Sequence, residues 1–445
     1  MSPARTIPAT RVCVALATVV ALAAIAYGVA FAAQFWRVLP YYDQWAVVAT
    51  YRRLAEGTGS LLDLLAPHNE HRLPFTKLAF VVDFAVFRGR LVLVQPLLIV
   101  GQLGLGVAVG LVASRGYGAQ ARLLAAVAGA AWLVAPVQID NLVDPFLLQW
   151  GACGLLALAS FYWTAQLAEP MPDGRATRIA LAAAAVALAP FSSANGLAVP
   201  PLAVFMAFVL PVPRAARIAL TAAAALSVAG FFVGYAPPPS DPAYRPVLSS
   251  PEGLLAFARY VAAFLGSIDQ HHPDNAIAVG AAGLAAYVAL VGVLLLALRS
   301  KRIDPSTAAL AMLATMAVAT AVMTGLGRAG AGPLQAMSWR YVTWSVLFWA
   351  SLLGCGWRQA AAAGHTIPAV ANLVIAAILV GVSYFPGRFI AIREKERAAA
   401  IDSLTAELRA GHLVPEHLSS VYPGSMSIVP LVEFLRARRL SIFAD

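Results

Sequence analysis

The sequence predicts an all-α, polytopic membrane protein with about eleven transmembrane helices. The mean hydropathy is +0.76, and 60% of the 445 residues are hydrophobic whereas only 12% are charged. Long runs of Ala, Val and Leu recur along the chain, and each crossing of a bilayer needs about 20 apolar residues. The three cysteines, Cys13, Cys153 and Cys355, all lie inside apolar runs, which favours packing residues over a disulfide framework.

Apolar periodicity and length place the predicted spans in order along the chain. They are residues 12–34, 91–113, 120–138, 146–167, 178–191, 196–212, 218–236, 275–298, 306–325, 341–357 and 367–385. The first is predicted as an uncleaved helix, because its apolar stretch from Val12 to Ala33 is longer than the roughly 7–15 residues of a signal peptide's apolar core. Residues 1–385 are therefore expected to form a transmembrane domain.

The charges of the loops predict an orientation. If the N-terminus is cytoplasmic, every inner connection carries basic residues, as the positive-inside rule requires. These residues are Arg115, Arg122, Arg175, Arg178, Arg214, Arg217, Arg299, Lys301, Arg302 and Arg358. Because such loops account for much of the net charge of +10, we do not expect nucleic acid as a partner.

Two regions are predicted to lie outside the spans on the outer face: a first outer loop, residues 35–90, and a C-terminal segment, residues 386–445. In the loop, "DQWAVVATYRRLAEG" and "LPFTKLAFVVDFAVFRGR" are typical of helices that lie in the membrane interface. An extra span at 73–87 is disfavoured because it would break the alternation of loop charges. "REKERAAAIDSLTAELRAG" predicts an amphipathic helix ended by Gly411, so the segment is expected to form a small outer cap.

Polar side chains at membrane depth usually mark a pathway or a site, and in this sequence they collect on the predicted outer face. The densest group is "HNEHR", residues 68–72. Its two histidines are three residues apart, whereas the HExxH zinc motif separates them by four. We therefore favour a site in which amide, imidazole and carboxylate bind sugar hydroxyls and Arg72 pairs with an anion. A site for a divalent metal is the alternative.

Several aspartates have both a structural and a functional interpretation. Asp43 precedes a helical pattern closed by Gly57, so it is either the N-cap of that helix or a catalytic carboxylate. Asp144 is followed by proline, which favours an N-cap. Asp304, also followed by proline, is predicted to be a cap on the inner side, and Ser250 a cap on the outer side.

"GRAGAGPLQAMSWRYVTW" is the second informative stretch. Arg328 lies among glycines, which let a ligand approach the backbone, and Arg340 precedes Tyr341 at the start of a span. Two guanidinium groups at the membrane surface favour a phosphate or pyrophosphate ligand. The structural alternative is that both arginines extend to the interface beside Trp339 and Tyr341.

The motifs "PYYDQW", "HNEHRLPF", "SSANGL" and "GRAGAGPLQAMSWRY" are similar to those of an uncharacterised, HNEHR-containing bacterial subfamily of the C-type (GT-C) membrane glycosyltransferases. The architecture also resembles GT-C enzymes, in that a long first outer loop with an early Asp precedes many spans. The resemblance implies an inverting hexosyl- or pentosyltransferase of the bacterial inner membrane with its active face in the periplasm. Its implied substrates are a polyprenyl-phosphate sugar donor and a glycan, lipid or protein acceptor, and membrane lipids surround it.

The resemblance also implies residue roles. Asp43 matches the acidic residue that GT-C enzymes use as catalytic base or to orient the acceptor, and Glu70 is the second candidate for a catalytic carboxylate. Many members have paired acids where this chain has Asp-Gln, so the identity of the base and a requirement for Mg²⁺ or Mn²⁺ stay open. The predicted substrate-binding residues are Gln44, Trp45, His68, Asn69, His71, Arg72, Asp140, Asp144, Gln149, Asn195, Arg328, Arg340 and Tyr341.

Two other functions use similar features. A transporter or flippase of lipid-linked saccharides would show charge along a path through the spans, and mid-span charge is sparse in this sequence. A ligase of lipid-linked saccharides would use the same arginines on the outer face. The sequence therefore favours a transferase over a transporter but separates it poorly from a ligase.

Overall fold

The computed structural model describes residues 9–170, 174–236, 248–299, 303–364 and 366–444. Within these ranges the regular structure is helical, and the β-type pairing is limited to one isolated bridge between His68 and His71. The prediction of an all-α fold is confirmed.

Eighteen α-helices follow one another in the described ranges. They are α1 (Ala9–Ala33), α2 (Gln44–Ala55), α3 (Pro74–Phe87), α4 (Val94–Ala113), α5 (Ala119–Leu133), α6 (Asp140–Val143), α7 (Leu148–Gln166), α8 (Arg175–Leu188), α9 (Val199–Val209), α10 (Arg214–Phe232), α11 (Pro251–Leu265), α12 (Pro273–Arg299), α13 (Pro305–Arg328), α14 (Pro333–Ala336), α15 (Val342–Ala362), α16 (Thr366–Tyr384), α17 (Gly387–Arg409) and α18 (Ser425–Ala437). Each of the eleven predicted spans coincides with one of these helices.

Seven helical stretches in the described residues are long and apolar enough to cross a membrane. They are Val12–Ala33, Val94–Ala113, Pro145–Gln166, Arg214–Phe232, Pro273–Leu298, Pro305–Ala331 and Val370–Arg409. Two shorter apolar helices are Ala119–Leu133 and Ala194–Val209. Large apolar side chains such as Leu16 and Val20 of α1 and Leu373 of α16 are exposed, as expected for helices that face lipid. The fold is that of a helical membrane protein, and the number of crossings stays a prediction.

Small residues bring neighbouring helices of the bundle close together. A Cβ atom added to Gly110 of α4 would lie 2.1 Å from the carbonyl oxygen of Ala125 in α5. The same atom on Gly106 would lie 2.3 Å from the oxygen of Gly129. Helices in a membrane gain much of their stability from this kind of close packing, because lipid provides little hydrophobic driving force for association.

The connections predicted to be cytoplasmic meet at one end of the bundle. Arg358 of α15 makes two 2.8 Å contacts with the carboxylate of Asp304 and donates to the carbonyls of Ala113 and Arg115. Arg115 in turn pairs with Glu169 at 3.0 Å. This meeting agrees with the predicted alternation of loops, although Lys301 and Arg302 lie outside the described residues.

The predicted caps are present. Asp304 accepts a hydrogen bond from the N–H of Thr307 at 2.8 Å, and Ser250 accepts one from Gly253 at 3.1 Å. Asp304 also binds Arg358, so it fastens α13 to α15 in addition to capping α13. A cavity of about 660 Å³ adjoins this ion pair, at the end of α13 opposite to Arg328.

The predicted first outer loop and the C-terminal segment share a second hydrophobic core. Its buried members are Leu39, Trp45, Val47, Val48, Leu73, Phe80, Phe84, Leu91, Val94 and Phe146 together with Ile401, Leu404, Leu408, Leu418, Val421, Ile428, Val432, Phe434, Leu435, Leu440 and Ile442. α2 and α3 supply one side of this core, while α17, α18 and the turn between them supply the other. Gly411, with φ of +89°, follows the end of α17 as predicted. The C-terminal segment therefore packs directly on the 35–90 loop.

Candidate functional site

A tight turn explains the spacing of the two histidines in "HNEHR". The backbone N–H of His68 donates to the carbonyl of His71, and the reverse bond is also present, both at 2.8 Å. Asn69 enters the left-handed region with φ of +49°, which Asn tolerates better than most residues. Residues opposite each other in an antiparallel pair project to the same side. Residues 68–72, the HNEHR turn, therefore present both imidazoles on one side.

Asp43 faces the HNEHR turn and does not cap its helix. It occupies the N-cap position of α2, yet its side chain makes no capping hydrogen bond in the described structure. Its Oδ1 lies 3.2 Å from Nε2 of His68. Burial raises the pKa of Asp43, but the hydrogen bond and charge of His68 together with the charge of Arg340 outweigh it, so the pKa is below its usual value. Of the two roles predicted for Asp43, the cap is not observed, and the ionised carboxylate lies in the site.

Asp144 is a cap, as predicted, and it also contacts Gln44. Its Oδ1 accepts hydrogen bonds from the N–H of Phe146 at 3.0 Å and from Nε2 of Gln44 at 2.8 Å. Burial raises the pKa of Asp144 to about 6. Of the adjacent residues Asp43 and Gln44, the first contacts His68 and the second contacts Asp144. The pKa of Asp43 is lowered, whereas that of Asp144 is raised.

Glu70 is held by an arginine that also binds a tyrosine. Arg328 contacts Oε1 of Glu70 at 3.1 Å through NH2 and donates to the hydroxyl of Tyr341 at 2.9 Å through NH1. Burial raises the pKa of Glu70, but His71, the backbone N–H of Glu70 and the charge of Arg328 outweigh it, so the pKa lies below its usual value. Glu70 is therefore a carboxylate that is already neutralised by a guanidinium.

His71 is neutral, and its tautomer follows from its partners. Nδ1 accepts a hydrogen bond from the N–H of Ala194 at 3.0 Å, so the ring proton is on Nε2, which lies 3.6 Å from Oε1 of Glu70. Burial lowers the pKa of His71 to about 4. This contact brings the motif "SSANGL" to the HNEHR turn.

Arg340 is the cation of the site with unused donors. Its guanidinium lies 5.2 Å from the ring centre of Tyr341, and its charge acts on both Asp43 and Glu70. The Nε atom is buried without a hydrogen-bond partner, and none of the hydrogen bonds or ion pairs described for this structure includes Arg340. A buried donor left unpaired costs about 1–3 kcal/mol. An anion bound to Arg340 would remove this cost.

Arg72, for which the sequence suggested an anion as partner, binds backbone carbonyls in this structure. Nε donates to the carbonyl of Phe231 at 2.6 Å, NH1 to that of Leu65 at 2.6 Å, and NH2 to that of Val233. The side chain is buried, and all three guanidinium nitrogens are engaged. Arg72 therefore joins the HNEHR turn to the end of α10, and its pairing with an anion stays a prediction.

The other predicted binding residues are spread over the neighbourhood of the site. Trp45 is buried in the core shared with the C-terminal segment, and Asp140 pairs with Arg393 of α17 at 3.0 Å. Gln149 is buried in the first turn of α7, and Asn195 is buried in the short 3-10 helix Ala194–Ala198 that precedes α9. Trp45 and Asp140 thus contact the C-terminal segment.

Two residues of the site were not predicted from the sequence. Gln335 of α14 donates to the hydroxyl of Tyr341 at 3.3 Å and accepts from the hydroxyl of Tyr260 in α11. Together with Arg328 they fix the position of the Tyr341 hydroxyl. The only signal for Gln335 was its place inside "GRAGAGPLQAMSWRY", and Tyr260 gave none, because it lies in an ordinary helical pattern.

The carboxylates of the site do not fit a divalent cation. Within the ranges described above, no group of three or more His, Cys, Asp or Glu side chains is arranged to hold a metal. Mg²⁺ and Mn²⁺ favour oxygen ligands, whereas Asp43 faces an imidazole and Glu70 a guanidinium.

The fold and the site define a helical membrane protein with a charged site at one end of its bundle. The site contains an ionised aspartate, two histidines and two arginines, one of which has unused donors. In comparisons with known proteins, no family model matches the chain, and neither a curated protein nor a solved structure gives a significant match.

Proposed function

We propose that this protein is an integral-membrane glycosyltransferase that moves a sugar from a polyprenyl-phosphate donor to a glycan, lipid or protein acceptor. The supporting observation is the guanidinium of Arg340, which has an unpaired buried Nε and acts electrostatically on both Asp43 and Glu70. A guanidinium that can bind phosphate lies near a carboxylate, at one end of a bundle of apolar helices. This arrangement suits a lipid-linked phosphate substrate. The proposal includes eleven spans, a GT-C-like architecture and a site on the periplasmic face of a bacterial inner membrane.

Arg340 is the residue we assign to the donor phosphate. Arginine binds phosphate oxygens through a planar fork of N–H groups, which gives both charge and direction. Arg328 lies on the same side but already contacts Glu70 and Tyr341, so it stabilises the phosphate at longer range. In the reaction the phosphate leaves as an anion and needs charge stabilisation more than protonation.

Asp43 is the residue we assign as general base. Its lowered pKa keeps it ionised at neutral pH, and His68 at 3.2 Å holds its orientation. The acceptor hydroxyl loses its proton to Asp43 as its oxygen bonds to the anomeric carbon. The bond between that carbon and the phosphate oxygen breaks, its electrons remain on the phosphate, and the configuration at the carbon is inverted. Glu70 is less suitable, because Arg328 already neutralises it.

The neutral side chains of the site suit the sugar. His71 is uncharged and buried beside Trp150, whose ring centre is 6.3 Å away. Gln44, which contacts Asp144, and Asn69, which contacts His68, add amide groups. Imidazole, amide and indole groups are typical of sites that recognise hydroxyls and the apolar face of a sugar ring.

A deletion strain tests the proposal. Mass spectrometry of its surface glycans should show the loss of one sugar, with accumulation of the corresponding polyprenyl-phosphate sugar. The wild-type gene and the variant Asp402→Asn, which changes an exposed ion pair with Arg37, should restore the sugar, and Asp43→Asn should not. Unchanged glycans would exclude the transferase. Accumulation of a complete lipid-linked oligosaccharide would indicate a ligase or a flippase instead.

A further inference from the structure

The C-terminal segment contacts the turn that carries Arg340. The guanidinium of Arg393 in α17 lies 4.3 Å above the ring centre of Trp339, the residue before Arg340. Its NH2 group also contacts Asp140 at 3.0 Å. Asn141, next to Asp140 in α6, donates to the carbonyl of Trp339 at 3.1 Å. The residue that precedes Arg340 is therefore held through both its ring and its backbone.

The same segment contacts the turn that carries Asp43. The backbone N–H of Tyr42 donates to the carbonyl of Val421 at 2.8 Å. Tyr42 has φ of +46°, in the left-handed region that a large side chain rarely adopts, and such a conformation persists only when surrounding contacts enforce it. The bond to Val421 is one such contact, and it acts on the residue directly before Asp43.

A buried carboxylate fixes the two arginines of α17. Glu394 is 1% exposed, and its two oxygens contact Arg393 at 2.7 Å and Arg397 at 2.5 Å. Arg397 lies 5.5 Å from the ring centre of Tyr41. The pair of guanidinium groups therefore has little freedom, and each one stacks on an aromatic residue close to the site. Stacking of this kind contributes more when the cation is removed from water.

We propose that the C-terminal segment orients the site through these contacts, and that Arg393 is the positioning residue for Arg340. By holding Trp339, Arg393 keeps the turn Trp339–Tyr341 in one conformation, and the unpaired guanidinium points at its ligand before the ligand arrives. Binding groups held in this way lose less freedom on binding, which increases affinity. The effect on donor binding rests on the proposed function, whereas the effect on the turn does not.

The test uses the purified, full-length protein in detergent. Hydrogen–deuterium exchange, read by mass spectrometry, reports on residues 338–342. Arg393→Gln removes the cation from the ring of Trp339, and exchange in this peptide should become about tenfold faster, the effect of losing one partly buried cation–π contact. Arg393→Lys keeps a cation there and should have a smaller effect. Asp402→Asn is the matched control, because it breaks an exposed ion pair of the same helix and should leave the peptide unchanged.

A second measurement connects the turn with the ligand. Binding of a short-chain polyprenyl phosphate, compared with the polyprenol that lacks the phosphate, should weaken about tenfold in Arg393→Gln and much less in Arg393→Lys.

Equal exchange of residues 338–342 in wild type and Arg393→Gln would overturn the positioning role. An equal increase in Asp402→Asn would overturn it too, because it would show general loosening. If Arg393→Gln does not fold, Trp339→Leu tests the same contact from the other side. Failure of the wild type to bind the phosphate would overturn the proposed function, and the exchange result would still decide the role of Arg393.

Discussion

Oδ1 of Asp43 and Nε2 of His68 are 3.2 Å apart, and this contact joins the start of α2 to the HNEHR turn. Asp43 makes this contact and no capping hydrogen bond, although it stands at the N-cap position of α2. The carboxylate is therefore oriented by a side chain and not by its own helix. Its removal should consequently affect chemistry and leave the helix in place.

Asp43→Asn should abolish sugar transfer without unfolding the protein. Removal of a general base lowers kcat by roughly 10²–10⁴-fold, and no capping bond is lost here. Transfer assays and thermal unfolding in detergent measure the two effects. Asp144→Asn is the matched control, because Asn also caps well, and it should be mild in both measurements. Near-normal transfer by Asp43→Asn would move the role of base to Glu70.

Arg340→Lys should weaken donor binding while leaving stability unchanged. Lysine keeps the charge but has no planar fork, so KM for the donor should rise by roughly tenfold, the effect of about 1.4 kcal/mol. Arg52→Lys, at an exposed ion pair with Glu56, is the control and should leave KM unchanged. An unchanged KM in Arg340→Lys would show that the phosphate binds elsewhere.

Arg72→Met should destabilise the protein. Three backbone carbonyls lose their donor, and the hydrogen bond to Phe231 is buried whereas those to Leu65 and Val233 are partly buried. An unsatisfied buried group costs about 1–3 kcal/mol, so a loss of at least about 1 kcal/mol is expected. Thermal unfolding in detergent measures this loss. A variant that keeps its stability but no longer binds polyprenyl phosphate would favour the anion-binding role that the sequence suggested.

The stability of the protein should fall in mild acid because of His71. Burial lowers the pKa of His71 from 6.5 in the unfolded chain to about 4, so the unfolded state takes up the proton first. The contribution of His71 is complete above about pH 6.5 and is lost as the pH falls towards 4. Melting temperatures between pH 7.5 and 4 should show this decrease, and His71→Asn should reduce it. Asp144 acts in the opposite sense, because its raised pKa favours the folded state at low pH. The contribution of His71 is therefore read from the difference between the wild type and His71→Asn.

Cysteine labelling should test the orientation. In a Cys13→Ser background, Pro415→Cys should react with an impermeant thiol reagent in intact cells that have a permeable outer layer. Lys301→Cys should react only after the membrane is broken. The reverse pattern would place the candidate site in the cytoplasm and exclude a periplasmic transferase.

The helices and their caps could be predicted from local sequence. Apolar length marked the helices, and the Asp-Pro pairs at residues 144 and 304 marked helix starts, because these caps depend on residues two or three positions apart. Arg72 could not be assigned in this way. Its partners are carbonyls of Phe231 and Val233, and every residue has a carbonyl, so the sequence gives no sign of which ones are open. The contact of His71 with the N–H of Ala194 could not be predicted for the same reason, and that of Gln335 with Tyr260 joins side chains 75 residues apart.

The bonds between Arg72 and the end of α10 also set an order of events during biosynthesis. Arg72 is synthesised 159 residues before Phe231, so its final partners do not exist when the HNEHR turn leaves the ribosome. The carbonyls at the end of α10 have no donor within their own helix, and the guanidinium supplies one from a distant part of the chain. The turn can therefore settle only after α10 has been inserted, and Tyr42 gains its bond to Val421 later still. The site is completed when almost the whole chain has been translated.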